Sequence, residues 1–193
     1  MQRLVVGISG ASGAIYGLRL LEELRRHPSV ETHLVLSRPA ERTIAEETDY
    51  LLDAVRSLAC CSYAVDDIGA PIASGSFATM GMIVIPCSMR SASAIAHGMA
   101  DNLLLRAADV TLKEARRLLL VVRESPLHAG HLENLLSLAR MGVIIQPPVP
   151  AFYSRPQSIG EIVDQTVGRV LDRFGLPHRL YREWGSPRAD LPQ

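Results

Sequence analysis

Apolar, β-branched runs recur along the chain at residues 4–8, 33–36, 82–85, 118–122 and 143–145. Between most of them apolar positions return at helical spacing, which predicts helices over 14–26, 39–47, 101–117 and 131–140. Strands this uniformly apolar are buried on both faces, so they point to a parallel sheet covered by helices on each side, with right-handed crossovers. The fold expected is therefore α/β: a doubly wound parallel sheet in a three-layer sandwich.

Two stretches break the alternation. Residues 66–81 are rich in Gly, Ala and Ser and read as a long functional loop. Further on, Pro147, Pro148, Pro150 and Pro156 bracket Ala151, Phe152, Tyr153, Ser154 and Arg155, forbid regular structure and fix an extended segment suited to walling a pocket. A helix over 159–174 follows. The domain is expected to span 1–175, and the tail 176–193, with the only tryptophan, Trp184, to dock on the body or on a neighbouring subunit.

Composition narrows the function classes. The 193 residues are 48% hydrophobic and 21% charged, enough for one domain with a sizeable core. A formal net charge of zero and 5% aromatic content argue against nucleic-acid binding. No apolar stretch reaches membrane-span length and the chain enters a strand at once, so a cytoplasmic protein is expected. Cys60, Cys61 and Cys87 make no disulfide framework, and two adjacent thiols chelate one metal poorly. His128 and His131 lie three apart without an acidic or cysteine neighbour, which favours a capping or surface role. No metal is expected.

The densest small-residue turn runs from Gly7 to Ala14 and joins the first strand to the first helix. Backbone N–H groups and the helix dipole make such a turn a phosphate site, although the turn alone reads equally as tight packing. Ser12 and Ser37, at the tips of strands expected to be neighbours, favour a ligand. The spacing G-x-x-G-x-x-G, and a serine where a ribose-binding acid would stand, favour a mononucleotide over NAD. Arg106 and Lys113, seven apart, share a helix face that reads either as a ligand cradle or as a solvated stripe. Arg123 and Glu124 fall at a strand's C-terminal end, where charge is expensive unless it serves a ligand. Arg169 lies in an amphipathic helix and reads equally as a surface residue.

Several ordered motifs carry a resemblance. They are Gly10-Ala11-Ser12-Gly13; the run from Pro86 to Ala96; Asp101-Asn102-Leu103; Arg106-Ala107-Ala108-Asp109-Val110; Leu112-Lys113-Glu114; Arg123-Glu124-Ser125-Pro126-Leu127; and Pro150-Ala151-Phe152-Tyr153. Together they resemble the UbiX-type flavin prenyltransferases, once called aromatic acid decarboxylase subunits, from Gly10 to Trp184. The resemblance implies a flavodoxin-like fold, reduced FMN as acceptor and dimethylallyl monophosphate as donor. The prenyl group goes to flavin N5 and a ring closes at C6; the prenylated FMN passes to a UbiD-type decarboxylase.

Carried over by residue, Gly10, Ala11, Ser12, Ser37, Ser88, Met89, Arg90, Ser91 and Arg123 match FMN contacts. Lys113, Glu124, Tyr153 and Arg169 match the surroundings of the dimethylallyl phosphate, with Arg106 and Trp184 completing the pocket. Arg90-Ser91 stands where Lys-Thr is common, and Ser37-Arg38-Pro39 where Ser-Lys-Ala is usual; Pro39 suits the first turn of a helix. The chemistry agrees with these types. Lys113, Arg169 and the Tyr153 hydroxyl suit a leaving phosphate, Ser12 approaches from the flavin side, Trp184 offers a π face to allylic cation character, and Glu124 is the best candidate for general acid/base, its other reading a simple ion pair with a helix cation. No D-D-x-x-D motif for a metal-bound diphosphate occurs. Residues 38–47 lack the histidine on which flavin-dependent cysteine decarboxylases rely. An accessory flavin-binding subunit remains the other reading. The proline segment and tail suggest sites at subunit contacts of a symmetric homo-oligomer, built on trimers and up to a dodecamer.

Overall fold

A computed structural model describes residues 1–185; the last eight residues of the expected tail, 186–193, lie outside the described residues. Six strands form one parallel sheet: β1 (Gln2–Ile8), β2 (Val30–Leu36), β3 (Cys61–Tyr63), β4 (Gly81–Cys87), β5 (Arg117–Val122) and β6 (Ile144–Ile145). Their order is β3-β2-β1-β4-β5-β6. Without the three-residue β3 this is the flavodoxin arrangement, and with it the order of dinucleotide-binding sheets. Both reverse direction between β1 and β4, and that switch point is where such folds bind ligands.

The helices are α1 (Ala14–Leu24), α2 (Arg38–Glu47), α3 (Leu52–Arg56), α4 (Met89–Ala96), α5 (Leu103–Lys113), α6 (Ala129–Arg140) and α7 (Ile159–Arg173). Central β4 is buried from end to end, as an apolar strand covered on both faces must be. On α1 the buried residues Ala14, Gly17, Leu18, Leu21 and Leu24 recur at three- and four-residue steps. Gly17 allows the close approach, since a Cβ there would lie 2.5 Å from the Ile85 carbonyl oxygen and 2.7 Å from Ile8 Cδ1.

The short helices α3 and α4 lie where the pattern predicts no helix, and three further expectations change. β3 was not foreseen, because Cys-Ser-Tyr is too short and too exposed to carry a pattern. The helix expected to reach residue 117 ends at Lys113; Ala115 takes a positive φ of 52° and Arg117 already pairs in β5. Residues 66–81 hold a 3-10 turn, Pro71–Ala73, and are strapped down. Arg106 Nε donates to the Ala73 carbonyl at 3.2 Å, and Arg116 donates to those of Phe77 at 2.8 Å and Gly75 at 2.6 Å.

The chain divides into two compact units, Met1–Pro148 and a second from Val149 onward. The division falls within the proline cluster, ahead of the boundary expected at 175, so α7 groups with the C-terminal segment. Within that second unit Gly168 makes room for Tyr181 and His178, whose side chains would lie 2.5 and 2.7 Å from a Cβ at that position.

Gly→Ala inside a helix ordinarily stabilises by about 1 kcal/mol. Gly17→Ala is expected to reverse the sign and destabilise by about 1–3 kcal/mol through overpacking, as read by denaturant unfolding.

Candidate functional site

Each strand tip is held by its neighbour. Ser37 N–H donates to the Ile8 carbonyl at 3.0 Å, and Arg123 N–H to that of Cys87 at 3.0 Å. Between β1 and β4 the buried Ser9 does more: its hydroxyl donates to the Pro86 carbonyl at 3.0 Å and accepts from Ser88 N–H at 2.7 Å. These bonds place Ser37, Ser88 and Arg123 along one edge of the sheet.

From that edge three helices begin around a single cleft of about 150 Å³, lined by Gly10, Ser37, Pro39, Ser88, Arg90, Ser91, Asn102, Leu104 and Leu105. Ser37 caps α2 by accepting from Ala40 N–H at 3.2 Å, Ser88 caps α4 through Ser91 N–H at 3.3 Å, and Asn102 caps α5 through Leu105 N–H at 3.1 Å. Three positive dipole ends thus converge with hydroxyls and the Arg90 guanidinium, a donor set that suits a phosphate. Among the described residues no ion pair engages Arg90. Gly10 is required here, because a Cβ would sit 2.3 Å from that of Pro39. These features fit the phosphate end of FMN. The volume is below the 300–1,000 Å³ usual for ligand pockets. A larger cleft of about 320 Å³ at the β2 and β3 tips has its cations spent in pairs, Arg38 with Asp66 at 2.6 Å and Arg56 with Glu41 at 2.7 Å.

The first turn corrects the reading of a phosphate anchor at α1. Glu47 at the end of α2 takes the N–H groups of Gly13 at 2.8 Å and Ala14 at 3.0 Å. A protein carboxylate therefore fills that helix terminus, while the N-termini of α2, α4 and α5 carry only uncharged caps. Burial raises the Glu47 pKa, but hydrogen bonds from Ser12, Gly13 and Ala14 and the charge of Arg123 outweigh it and hold the carboxyl below its ordinary value. Glu47 thus joins Ser12 to Arg123. Sequence reasoning missed it, since nothing in the Glu46-Glu47 pair signals a partner 34 positions earlier.

The other expected residues lie in separate places. Glu124 is exposed beside Arg123 and its carboxylate accepts from Ser125 N–H at 3.1 Å. Met89 and Ser91 are buried in the first turn of α4, whereas Ser12 and Arg90 face solvent. α5 starts at the cleft and, at 1.5 Å per residue, carries Lys113 about 16 Å away toward the opposite edge of the sheet. There Lys113 Nζ pairs with Glu114 at 2.5 Å and adjoins Gly75. Arg106, between the two, pairs with Asp109 at 2.7 Å.

In the second unit, the Tyr153 and Trp184 rings meet edge to face at 5.2 Å, with Trp184 80% exposed. Arg169 reaches Tyr181 Oη at 3.3 Å and Asp172 at 3.4 Å, while Tyr181 Oη also donates to Asp172. The Tyr181 hydrogen bond, ahead of the charges of Tyr181 and Asp172, raises the Arg169 pKa and keeps it cationic. His128 precedes α6 without a side-chain cap, and its ring packs on that of His131 with centroids 3.5 Å apart.

A carboxylate whose pKa is depressed by folding stabilises above its unfolded pKa and loses that contribution as pH falls through the folded value. Wild-type protein is therefore expected to lose thermal stability on acidification below about pH 5, and Glu47→Gln to show a shallower slope there. Melting temperatures measured from pH 7 to pH 3 decide it; identical slopes would mean that Glu47 is not held as described.

Comparison with known proteins follows the same lines. The Flavoprotein family model matches residues 1–171. Flavin prenyltransferase UbiX of Escherichia coli strain K12 is 54% identical, with 95% of this chain and 98% of that protein covered. Among solved structures, AnUbiX in complex with FMN and dimethylallyl pyrophosphate superimposes with a TM-score of 0.94 at 50% identity, covering 97% of this chain and 99% of that one. A dodecameric FMN-dependent UbiX-like decarboxylase from Escherichia coli O157:H7 gives a TM-score of 0.94 at 53% identity, covering 96% and 100%. A switch-point cleft built for a mononucleotide phosphate and this near full-length likeness agree: the chain belongs to the flavoprotein family, among its UbiX flavin prenyltransferases.

Proposed function

We propose that the protein transfers a dimethylallyl group from dimethylallyl monophosphate to reduced FMN, at N5 and then C6, and supplies prenylated FMN to a UbiD-type decarboxylase in the cytoplasm. The observation that carries the reading is the convergence of three serine- or asparagine-capped helix N-termini with Arg90 on one small cleft at the sheet switch point. Among the described residues no helix is long and apolar enough to cross a membrane.

Bound at the cleft, reduced FMN supplies the nucleophilic atoms. Ser37, Ser88, Arg90 and Ser91 hold its phosphate by charge-assisted and helix-end hydrogen bonds. Gly10 and Ala11 let the ligand approach the backbone, Met89 anchors the start of α4, and Arg123 balances ligand charge at the tip. Ser12, oriented by Glu47, presents its hydroxyl on the flavin side. Glu124, exposed at the β5 tip, takes and returns the protons that ring closure moves. Arg169 and Tyr153 bind the donor phosphate, and the outward face of Trp184 attends the allylic carbon.

Lys113 belongs to the same chemistry only if α5 of one chain abuts the cleft of another. Its distance from the tip of its own chain, the small cleft and the dodecamer formed by the UbiX-like relative support a homo-oligomer with shared sites.

Anaerobic incubation with reduced FMN and dimethylallyl monophosphate, without added metal, is expected to yield a flavin heavier by one C5H8 unit. Binding of FMN with no mass change would favour an accessory flavin-binding subunit. Glu124→Gln is expected to keep both ligands while slowing formation of the cyclised product by about 100-fold or more.

Lys113→Ala and Glu124→Gln chains are each expected to be inactive alone. Co-assembled in equal amounts, they regain about a quarter of wild-type activity, because random mixing leaves that share of sites with both residues intact. No recovery in verified mixed oligomers would place Lys113 in the site of its own chain or outside the chemistry.

A further inference from the structure

Pairing of β2 with β3 brings Cys61, distant in sequence, beside Glu31 and His33 of β2. His33 stands opposite Cys61 in the parallel register, and Glu31 lies two residues before His33 on the same face. One ligand atom from each lies within 4.8 Å of the other two. Among the described residues no other such group of metal-ligating side chains forms. His33 is 1% exposed, and its Nε2 has no hydrogen-bond partner, an expensive state for a buried polar atom. Glu31 Oε1 lies 3.4 Å from that Nε2. Two ligands at about 2.0 Å from a tetrahedral Zn²⁺ are about 3.3 Å apart, so the spacing fits a shared ion better than a hydrogen bond.

We propose that Glu31, His33 and Cys61 form a Zn²⁺ site that clamps the edge strand β3 onto β2. Each remaining polar atom has a consistent part. His33 Nδ1 lies 2.9 Å from Tyr63 Oη, so with Nε2 on the metal Nδ1–H donates to the tyrosine and fixes the ring. Tyr63 also hydrogen-bonds Cys61, which fixes the direction of the sulfur. The second carboxylate oxygen, Glu31 Oε2, is held by Arg3 Nε at 3.4 Å, leaving Oε1 to ligate. Glu31 and Cys61 are only half-buried, which opens a path for the ion and a fourth position for water. Nitrogen, oxygen and thiolate together select zinc over magnesium or calcium. On binding, the Cys61 S–H bond breaks, an S–Zn bond forms and the proton passes to buffer, while burial, the larger effect on His33, lowers its pKa and keeps the imidazole neutral.

The site lies partway along β2 and β3, away from the cleft, so its test does not depend on the proposed reaction. Metal-stripped full-length protein is titrated with Zn²⁺ by calorimetry and with Co²⁺ by absorbance. One Zn²⁺ per chain is expected, with release of a proton, and Co²⁺ should develop a thiolate charge-transfer band. Cys61→Val suits a strand edge and should abolish the band, while Cys60→Ser should keep it. Tyr63→Phe should weaken Zn²⁺ about tenfold and Glu31→Gln by more. Zn²⁺ should raise the melting temperature of wild type and leave that of Cys61→Val unchanged, both proteins retaining FMN binding. Absence of stoichiometric binding, a band that follows Cys60, or equal affinity in Cys61→Val would each overturn the site.

Discussion

The functional edge of the molecule depends on Ser9. At the point where the strand order reverses, β1 and β4 diverge into different connections, and their tips are joined by a backbone bond from Ser9 N–H to the Pro86 carbonyl at 3.1 Å and by a side-chain tie. The Ser9 hydroxyl supplies it, donating to the Pro86 carbonyl and accepting from Ser88 N–H in a site 1% exposed. Loss of this hydroxyl would leave the half-buried Ser88 N–H without its partner, while the Pro86 carbonyl would keep the Ser9 N–H at 3.1 Å. Because Ser88 is also the cap of α4, the same atom that joins two strands aims a helix N-terminus at the cleft.

Electrostatics then divides the helix termini between structure and ligand. α1 is neutralised internally by Glu47, which no ligand needs to displace. α2, α4 and α5 are capped by their own uncharged side chains, which satisfy one donor each and leave the dipole ends available to an anion. One anionic partner is thus built into the protein and another is left to be bound. The cations are split as well. Arg90 and Arg123 stay at the tip and Arg106 lies one turn into α5, while Lys113 is carried off to the far end of that helix.

The second unit solves a different problem. There the Arg169 guanidinium is given a fixed direction by Tyr181 and Asp172. Tyr181 reaches them because Gly168 removes the Cβ that would block its ring. Tyr153 and Trp184 lie on the same unit, edge to face, with most of the indole left open.

Much of this was legible in the chain. Five apolar runs carried the parallel sheet, since burial on both faces leaves no polar alternation, and the ordered motifs carried the family. Serines at strand tips marked the ligand edge, because strand ends in this sheet class are where ligands bind. Local patterns also set the caps Ser37, Ser88 and Asn102. What the sequence by itself determined, therefore, was the longer elements, the fold class and the residue types of the site; the short β3, α3 and α4 carry too little pattern to be read. Only the tertiary structure decided that Glu47 would fill the first turn, that α5 would carry Lys113 away from Ser12, and that β3 would bring Cys61 to His33. Those are contacts between residues far apart in the chain, fixed by sheet register and helix direction, and no local pattern encodes either.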